Sequence, residues 1–451
     1  MSRVRTVEEL GRLLRTLRRR EARTREGAEL TYRHLAARAG WSHAVVAAYL
    51  TGKTLPPTDR FDTLIQLLGA TRAEQGALAT ARDRVEESRR QHALSARGNG
   101  LPVPRQLPAD VPGFIGRRTE LAHLDQLLTA RAGRSATVTI AAITGTAGVG
   151  KTALAVHWAH RARHRFPHGQ LYADLRGFSP DPPVPPERIL DGYLTALGVP
   201  PQHLPPDLDS KAALYRSLLD GKRMLVVADN AVSPEQIRPL LPAAPGCLVL
   251  VTSRNAMTGL VARDRAHRFS LDVLPVNDSV ALLAGFLGED RITAEPSAAV
   301  EVARLCACLP VALCAAGERA AAQPELTLAD LAKELVASDR RLDLLDAGDD
   351  RRTAVREVFS WSYRRLLPDA ARLFRALGRY QHTWLDRSTV AKLAGVPLEE
   401  AGRLVETLVS ASLLQLDRPD HYRLHDLLRA YATELVDEPR PGAARPATEP
   451  A

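Results

Sequence analysis

One segment constrains the fold of this chain more than any other: an apolar run that leads into a glycine-rich turn. Residues 137–143 (TVTIAAI) are β-branched and small apolar residues typical of a buried strand, G-x-x-x-x-G-K-T follows, and residues 153–159 (ALAVHWA) favour a helix. In a strand–loop–helix context, such glycines allow backbone N–H groups to converge on phosphate oxygens at a helix N-terminus. A glycine-rich turn with a chance lysine is the alternative. The segment predicts a phosphate-binding loop, which we call the P-loop, formed by Gly145, Thr146, Ala147, Gly148, Val149, Gly150, Lys151 and Thr152.

Two residues of the P-loop and one distant carboxylate have predicted roles toward a nucleotide. Lys151 is expected to reach the β- and γ-phosphates, and Thr152 to ligate Mg²⁺. The segment 224–229 (MLVVAD) is an apolar run that ends in Asp229, as expected for the acid that orders Mg²⁺. A strand-end Asp that caps a helix is the alternative for Asp229. The predicted ligands are therefore ATP or ADP with Mg²⁺.

The residues beyond Asp229 bear on hydrolysis. Asn230 stands where many P-loop hydrolases place a second acid, and a neutral amide cannot accept a proton from the attacking water. A further apolar run, residues 247–251, ends in Thr-Ser-Arg254, and an arginine at that edge can contact the γ-phosphate and report its presence. A surface arginine is the alternative for Arg254. With Lys151, Asp229 and Arg254 as catalytic residues, the sequence predicts a slow ATPase that serves as a switch more than as a motor.

The chain divides into regions of different composition. Strands alternate with helices over residues 111–270, which implies a parallel sheet, and residues 271–436 are predicted to be almost entirely helical. Residues 1–88 are predicted as short helices, residues 89–110, rich in polar residues, Gly and Pro, as a linker, and residues 437–451 as a disordered tail.

Composition excludes several classes of protein. Apolar residues make up 45% and charged residues 25% of the chain, which is ordinary for a soluble globular protein. No apolar run reaches the roughly 18 residues needed to span a bilayer, so no membrane partner and a cytoplasmic location are expected. The cysteines lack a paired C-x-x-C spacing, so we expect small buried residues and no zinc site.

The net charge of +9 is concentrated at one end. Residues 1–100 contain 19 Lys+Arg and 11 Asp+Glu, a difference of +8, which leaves +1 for the remainder. Positive charge confined to one end indicates a module that binds a polyanion. In that module, residues 31–40 and 41–50 have the pattern of a helix-turn-helix, with Gly40 at the turn and Ser42 capping the second helix.

Several motifs, taken in order, resemble the NB-ARC branch of the STAND signalling ATPases, and especially its bacterial transcription regulators. Besides the P-loop, Asp229 and Arg254, residues 308–313 (CLPVAL) resemble the family's G-L-P-L motif, with Cys308 at the place of the first glycine. Residues 422–426 (YRLHD) resemble its M-H-D motif. The resemblance implies that Pro310 packs on adenine and that His425 contacts the β-phosphate of ADP. It further implies an adenine-lining backbone segment formed by Phe114, Ile115, Gly116 and Arg117.

The same resemblance refines the organisation of the chain. It implies a multidomain fold, in which an all-α helix-turn-helix domain precedes an α/β P-loop NTPase domain with a parallel sheet, a helical domain at 271–349 and a winged-helix domain at 350–436. Relatives usually continue into a repeat array that senses a signal, whereas this chain ends about 15 residues after the winged-helix segment. This ending suggests that a separate sensor protein detects the signal, that the nucleotide level is itself the signal, or that the chain is a truncated paralogue.

The N-terminal region resembles an XRE-type DNA-binding domain. Its second helix presents His43, Ala44, Ala47 and Ala48, and alanine methyls make no hydrogen bonds to bases, so few base-specific contacts are expected. The predicted DNA-contacting residues are Arg33, Arg38, Ser42, His43, Lys53 and Arg60. A helical protein-interaction module with a solvated basic face is the alternative.

Together these features predict an ATP/ADP-binding switch that regulates transcription by binding double-stranded DNA. ADP would hold the domains closed, and ATP with Mg²⁺ would open them and allow chains to self-associate, which arrays weak DNA-binding modules and raises avidity. The alternative is a nucleotide-switched scaffold whose N-terminal module binds a protein partner.

Overall fold

The computed structural model describes residues 6–24, 28–97, 103–130, 138–337, 341–346, 354–380, 382 and 384–437. The chain forms two compact units, Met1–Pro102 and Val103–Ala451, which are described separately. The predicted tail, apart from residue 437, lies outside the described residues.

In its described residues the first unit is helical, as predicted. Its helices are α1 (Val7–Thr24), α2 (Tyr32–Ala39), α3 (His43–Thr51), α4 (Thr58–Leu67) and α5 (Arg72–Arg97). Side chains cap the start of α2 and α3, because Thr31 accepts a hydrogen bond from the His34 N–H and Ser42 accepts one from the Val45 N–H. Between these two helices Gly40 adopts the left-handed conformation (φ 69°), which glycine adopts without strain.

An apolar core holds these helices together. Leu35 of α2, Val46 and Leu50 of α3, and Phe61 and Leu64 of α4 are fully buried in one cluster that also takes in α1 and α5. The spacing of these residues places one apolar face of each helix toward the same core.

The predicted linker at 89–110 is only partly irregular. Helix α5 continues to Arg97, because the segment from Ala77 to Arg97 contains helix-forming residues and neither Gly nor Pro. Beyond residues 98–102, which lie outside the described residues, Arg105 forms a parallel bridge with Gln170. The end of the predicted linker therefore belongs to the second unit.

The second unit begins with an α/β region that contains the P-loop. In chain order its elements are α6 (Arg118–Ala130), β1 (Thr139–Gly145), α7 (Lys151–Ala162), β2 (Gln170–Asp174), α8 (Pro186–Ala196), α9 (Leu208–Leu219), β3 (Leu225–Ala231), α10 (Pro234–Ile237), β4 (Leu248–Ser253), α11 (Thr258–Asp264) and β5 (His267–Leu271). The five strands form a parallel sheet in the order β2-β3-β4-β1-β5.

Burial of both faces of this sheet explains its apolar strands. Strands β1, β3 and β4 are almost wholly buried, with one set of side chains in the core on the α7 side and the alternate set in a second core with α8 and α9. All strands are parallel, so their carboxyl ends meet at one edge, where open α/β sheets bind ligands.

The rest of the second unit is mainly helical. Its elements are α12 (Val276–Leu287), α13 (Glu289–Ala294), α14 (Pro296–Leu305), α15 (Pro310–Ala322), α16 (Leu328–Ala337), α17 (Arg341–Leu344), α18 (Val355–Tyr363), α19 (Pro368–Gly378), β6 (Trp384–Leu385), α20 (Arg387–Ala394), α21 (Leu398–Ser410), β7 (Gln415–Arg418), β8 (His421–Arg423) and α22 (Asp426–Asp437). The three short strands form an antiparallel sheet in the order β6-β8-β7. Helices α19 to α22, interspersed with the strands of this small sheet, match the winged-helix arrangement that the resemblance implies, and the domain boundaries stay predictions.

Candidate nucleotide-binding site

A cavity of about 400 Å³ lies where the carboxyl ends of β1 to β4 meet. Its walls come from the P-loop, the ends of the strands, the start of α15 and one face of α18. Of the residues predicted to bind nucleotide or metal, or to act in catalysis, the cavity is lined by Gly148, Gly150, Lys151, Thr152, Asp229, Arg254 and Pro310.

Lys151 lies at the start of α7 with its amine turned back over the P-loop. The Nζ atom donates hydrogen bonds to the carbonyl oxygens of Gly145 (3.0 Å) and Thr146 (2.7 Å). Removal from solvent lowers the pKa of the Lys151 amine to about 7, repulsion from Arg254 adds to this effect, and Asp229 opposes it. An anion in the cavity would favour the protonated amine.

Asp229 is 5% exposed and accepts hydrogen bonds from three hydroxyl groups. The donors are Thr152 Oγ1 (2.8 Å), Tyr172 Oη (3.2 Å) and Thr252 Oγ1. Burial raises the pKa of the Asp229 carboxyl, with these hydrogen bonds acting in the opposite direction. A buried carboxylate beside a P-loop hydroxyl offers the hard oxygen ligands that Mg²⁺ prefers. The two predicted metal ligands therefore lie together.

Arg254 leaves the end of β4, crosses the cavity and reaches α18. Its Nη1 atom donates hydrogen bonds to the carbonyl oxygen of Val358 and to Ser362 Oγ, the latter at 3.1 Å. Its guanidinium lies 5.2 Å from the centre of the Phe178 ring and 5.5 Å from that of Trp361. Burial, with a smaller contribution from Arg365, lowers the pKa of Arg254 to about 9, so the side chain stays charged at neutral pH. Arg254 is 8% exposed, which is at odds with the alternative of a surface arginine.

A second link joins the end of β4 to the C-terminal helices. Ser412 Oγ donates a hydrogen bond to the carbonyl oxygen of Arg254 (2.5 Å), and the Ala256 N–H donates one to the carbonyl of Ser410 (3.1 Å). The loop that follows β4 is therefore held by α18 through the Arg254 side chain and by the end of α21 through the backbone.

Asn230 fixes the loop that follows β2. Its backbone is left-handed (φ 58°), a conformation that Asn tolerates better than most residues. Its Oδ1 atom accepts a hydrogen bond from the Phe178 N–H (3.2 Å), and its Nδ2 atom donates to Ser179 Oγ (3.3 Å). The amide that the sequence singled out is thus engaged in holding Phe178 and Ser179 at the cavity wall.

The Cys308–Leu313 motif packs directly on the P-loop. Pro310 is the first residue of α15 and lines the cavity, and the Val311 N–H donates a hydrogen bond to the carbonyl of Gly148 (3.2 Å). A Cβ on Gly148 would lie 2.2 Å from Val311 Cγ1, so this close approach requires glycine. Cys308, at the place of the family's glycine, keeps the left-handed conformation (φ 51°).

The segment from Phe114 to Arg117 lies outside the cavity lining but supports the P-loop. Arg117 is 7% exposed, and its Nη2 atom donates hydrogen bonds to the carbonyls of Val149 (3.0 Å) and Asp272 (2.7 Å). Phe114 stacks on His157 of α7 with ring centres 4.2 Å apart. The predicted adenine contact of this segment stays a prediction.

His425 also lies outside the cavity lining, immediately before α22. Its Nδ1 atom accepts a hydrogen bond from the Leu428 N–H (3.3 Å), so the ring caps that helix. Its Nε2 atom is buried without a hydrogen-bond partner among the described residues. Burial lowers the pKa of His425 to about 3, and the neutral ring then carries its proton on Nε2. The proposed contact of this N–H with a β-phosphate stays a prediction.

Sequence reasoning missed several residues of the cavity wall: Tyr172, Asp174, Phe178, Val358 and Trp361. One signal was present, because residues 170–174 (QLYAD) are a short run that ends in a carboxylate, as the strand before Asp229 does. No local pattern marks Val358 and Trp361, which reach the cavity only because α18 packs beside it.

The predicted DNA-contacting residues lie in the first unit around α3. Arg33, Arg38, Ser42, His43 and Lys53 are exposed. Arg60 differs, because its Nη1 atom donates a hydrogen bond to Tyr49 Oη (3.4 Å) and its guanidinium lies 5.7 Å from the centre of the Trp41 ring. Arg60 therefore stabilises the packing of α3 and α4, and it is less available to a phosphate than the other cations.

No helix in the described ranges combines the length and the apolar character needed to cross a bilayer.

The chain is similar in sequence to known proteins. The sequence model of a helix-turn-helix domain family matches residues 9–78. The chain is 42% identical over 337 residues to the regulatory protein AfsR of Streptomyces coelicolor, and 42% identical over 334 residues to that of Streptomyces griseus. Each match covers 74% of this chain and 33% of the relative, so the chain spans about a third of the length of these curated relatives.

Solved structures give a weaker likeness. The ORC2 protein of Aeropyrum pernix, in ADPNP–ADP complexes, is 16% identical with a TM-score of 0.43 and covers 75% of this chain and 99% of its own. A STAND protein of Pyrococcus horikoshii with a tetratricopeptide repeat sensor is 16% identical with a TM-score of 0.33, covering 74% of this chain and 44% of its own. A likeness at this level says nothing about what the chain does.

The sequence matches confirm the predicted helix-turn-helix domain near the N-terminus and show that the chain is related to the AfsR regulatory proteins.

Proposed function

We propose that this chain, a helix-turn-helix protein with a P-loop ATPase-type region related to the AfsR regulatory proteins, is a transcription regulator whose binding to double-stranded DNA is controlled by ATP and ADP. The helix-turn-helix match and the charge of +8 on residues 1–100 support the DNA-binding part. The relatives are named as regulatory proteins, which is in keeping with this proposal.

One observation supports control by nucleotide. The same arginine lies where a γ-phosphate is predicted to bind and also makes hydrogen bonds to the C-terminal helices. Arg254 lines the cavity, yet its hydrogen bonds go to Val358 and Ser362 of α18. A γ-phosphate in the cavity would offer Arg254 a charge-assisted hydrogen bond, which is roughly twice as strong as one to a neutral carbonyl. ATP would therefore compete with α18 for this side chain, whereas ADP would not.

This competition gives the two nucleotides different effects on the fold. With ADP, Arg254 keeps its bonds to α18, and the C-terminal helices stay against the cavity. With ATP, those bonds weaken, and the equilibrium shifts toward an open form by the difference in binding energy between the two states. The Val358 carbonyl and the Ser362 hydroxyl exposed on opening can then bind water.

The residues that line the cavity are suited to bind a nucleoside diphosphate or triphosphate with Mg²⁺. The P-loop amides and Lys151 would hold the phosphates, and Thr152 and Asp229 would hold Mg²⁺, which neutralises phosphate charge when bound. We further propose that ATP turnover stays well below the enzyme median of about 10 per second, because Arg254 is held by α18 until the chain opens.

In the open form, we propose that chains associate and present several helix-turn-helix modules to one DNA. A lone module with an alanine-rich recognition helix binds weakly, and linking several modules raises avidity without new base contacts. A separate sensor protein that favours the open form would act on the same equilibrium.

The test is DNA binding by the full chain, with duplexes selected from a random pool by the protein loaded with a non-hydrolysable ATP analogue. Anisotropy titrations should show tighter binding with the analogue than with ADP. Arg254→Met, which keeps the side-chain length but removes the charge, should bind alike with both nucleotides.

Lys151→Ala serves as the control for nucleotide binding. Removing this charge-assisted contact, worth about 1.5–3 kcal/mol, should weaken ADP binding roughly ten- to a hundredfold by calorimetry. Equal ADP affinity of mutant and wild type would show that the P-loop is not the binding site for the phosphates of ADP. Absence of duplex binding at low salt with either nucleotide would favour the scaffold alternative, in which the N-terminal module binds a protein.

A further inference from the structure

A second carboxylate lies beside Asp229 on the neighbouring strand. Asp174 ends β2 and is the register partner of Asp229 on β3, so the two side chains leave the sheet at the same level. Adjacent strands lie roughly 4.8 Å apart, so Asp174 stands about one strand spacing beyond the predicted Mg²⁺ ligand. Asp174 is partly exposed and lines the cavity.

Hydrogen bonds within the loop after β2, and from this loop to β3, hold Asp174 in this position. Asp174 Oδ1 accepts a hydrogen bond from the Arg176 N–H (2.9 Å), and the Leu175 N–H donates to the carbonyl of Asp229 (2.8 Å). The Gly177 N–H donates to the carbonyl of Asn230 (2.6 Å). Together with the bonds of the Asn230 amide to Phe178 and Ser179, these contacts tie the loop to the end of β3.

Asn230 therefore has a structural role in the loop, whereas the acid found next to the metal ligand in many P-loop hydrolases acts on the attacking water. Its side chain uses Oδ1 as an acceptor and Nδ2 as a donor within the loop, and a carboxylate there would lose the donor. Asp229 itself already accepts three hydroxyl hydrogen bonds. Asp174 is the remaining carboxylate on the cavity wall among the described residues.

We propose that Asp174 is the catalytic base of ATP hydrolysis at this site, supplying from β2 the carboxylate that Asn230 lacks. This inference rests on the proposed nucleotide site. The oxygen of a water held by Asp174 forms a bond to the γ-phosphorus of ATP. The bond from that phosphorus to the β,γ-bridging oxygen breaks, and the oxygen leaves with the electron pair as part of ADP. The proton of the water passes to the Asp174 carboxylate and is then released to solvent.

The test compares Asp174→Asn with Asn230→Asp in the full chain. Asp174→Asn is isosteric and keeps an oxygen that can accept from the Arg176 N–H, so the loop is retained. General base catalysis typically contributes 10²–10⁴-fold, so single-turnover hydrolysis by Asp174→Asn should fall at least about a hundredfold. Asn230→Asp places a carboxylate at the usual position but removes the loop donor, and its hydrolysis should not exceed that of wild type.

A binding measurement separates catalysis from folding and from nucleotide affinity. ADP with aluminium fluoride mimics the phosphoryl group under attack by water, and it should bind wild type more tightly than ADP alone does. Asp174→Asn should keep the wild-type affinity for ADP within about twofold, as expected when a group acts only in the transition state, and should lose the gain from aluminium fluoride.

Two results would overturn the role of Asp174: hydrolysis by Asp174→Asn at the wild-type rate, or hydrolysis by Asn230→Asp that is faster than that of wild type. If wild type still binds ADP and distinguishes ATP from ADP in DNA binding, only the role of Asp174 is lost. If wild type binds no ADP, the proposed nucleotide site is lost with it.

Discussion

At the scale of single residues, the charge of Lys151 is set by its surroundings. Its pKa of about 7 means that much of the amine is neutral in the ligand-free chain at pH 7 and above. Phosphates in the cavity favour the protonated form and raise that pKa, so nucleotide binding takes up a proton. By linkage, affinity must fall as pH rises above the pKa of the free chain, toward tenfold per pH unit at most.

We therefore expect the affinity for ADP to decrease between pH 7.5 and 9.5, a range in which the phosphates of ADP are already ionised. Calorimetry in buffers of different ionisation enthalpy should show proton uptake in the same range. Lys151→Ala is the matched control and should bind weakly with little dependence on pH. An affinity of wild type that is constant across this range would mean that the amine is fully charged before the nucleotide binds.

His425 combines two roles that substitutions can separate. Its Nδ1 atom caps α22, and its buried Nε2–H would be the group that contacts a β-phosphate in the closed state. His425→Asn retains a side-chain acceptor for the cap but has no group at the Nε2 position, whereas His425→Ala loses both. Loss of a cap typically costs about 0.5–2 kcal/mol of stability.

If His425 restrains the switch, both variants should self-associate in the presence of ADP, as measured by light scattering, and only His425→Ala should also lose thermal stability. If the ADP-bound variants are as monomeric as wild type and His425→Ala alone is destabilised, the residue is a cap and not a latch.

At the scale of elements, local sequence predicts best where the chemistry is local. The strand before the P-loop, the helix start after it and the strand that contains Asp229 follow from apolar runs next to polar residues, and the structure has all three. Helix α5 extends into the predicted linker as far as Arg97, because the polar residues there are also helix-forming residues.

The rest of the site could not be predicted because it depends on contacts between distant elements. Arg254 and Ser362 are 108 residues apart, and the hydrogen bond between them exists only because α18 packs beside β4. The position of Asp174 beside Asp229 follows only from the register of β2 with β3, which the sequence does not give. The sequence identifies Asn230 as a neutral residue next to the predicted Mg²⁺ ligand Asp229. Its hydrogen bonds to Phe178 and Ser179 depend on its left-handed backbone and on the adjacent loop, which the sequence does not predict.

At the scale of the whole molecule, we expect the proposed regulator to bind DNA mainly through charge. Phosphate contacts release counterions, so the logarithm of affinity falls linearly with the logarithm of salt concentration. Arg33, Arg38 and Lys53 are exposed, whereas Arg60 is held against Tyr49 and Trp41. Three contacts from these exposed cations predict a slope of about −2.7 per module for double-stranded DNA.

A salt titration of the full chain with a fluorescent duplex tests this assignment, first with ADP and then with the ATP analogue. Lys53→Ala should reduce the magnitude of the slope by about 1 and weaken all sequences alike, while Arg60→Ala should leave the slope nearly unchanged. His43→Ala should instead reduce discrimination between sites. Association of several modules on one duplex multiplies the number of phosphate contacts, so the slope should steepen with the ATP analogue. The same slope with both nucleotides would show that nucleotide changes the affinity of single modules and not their number.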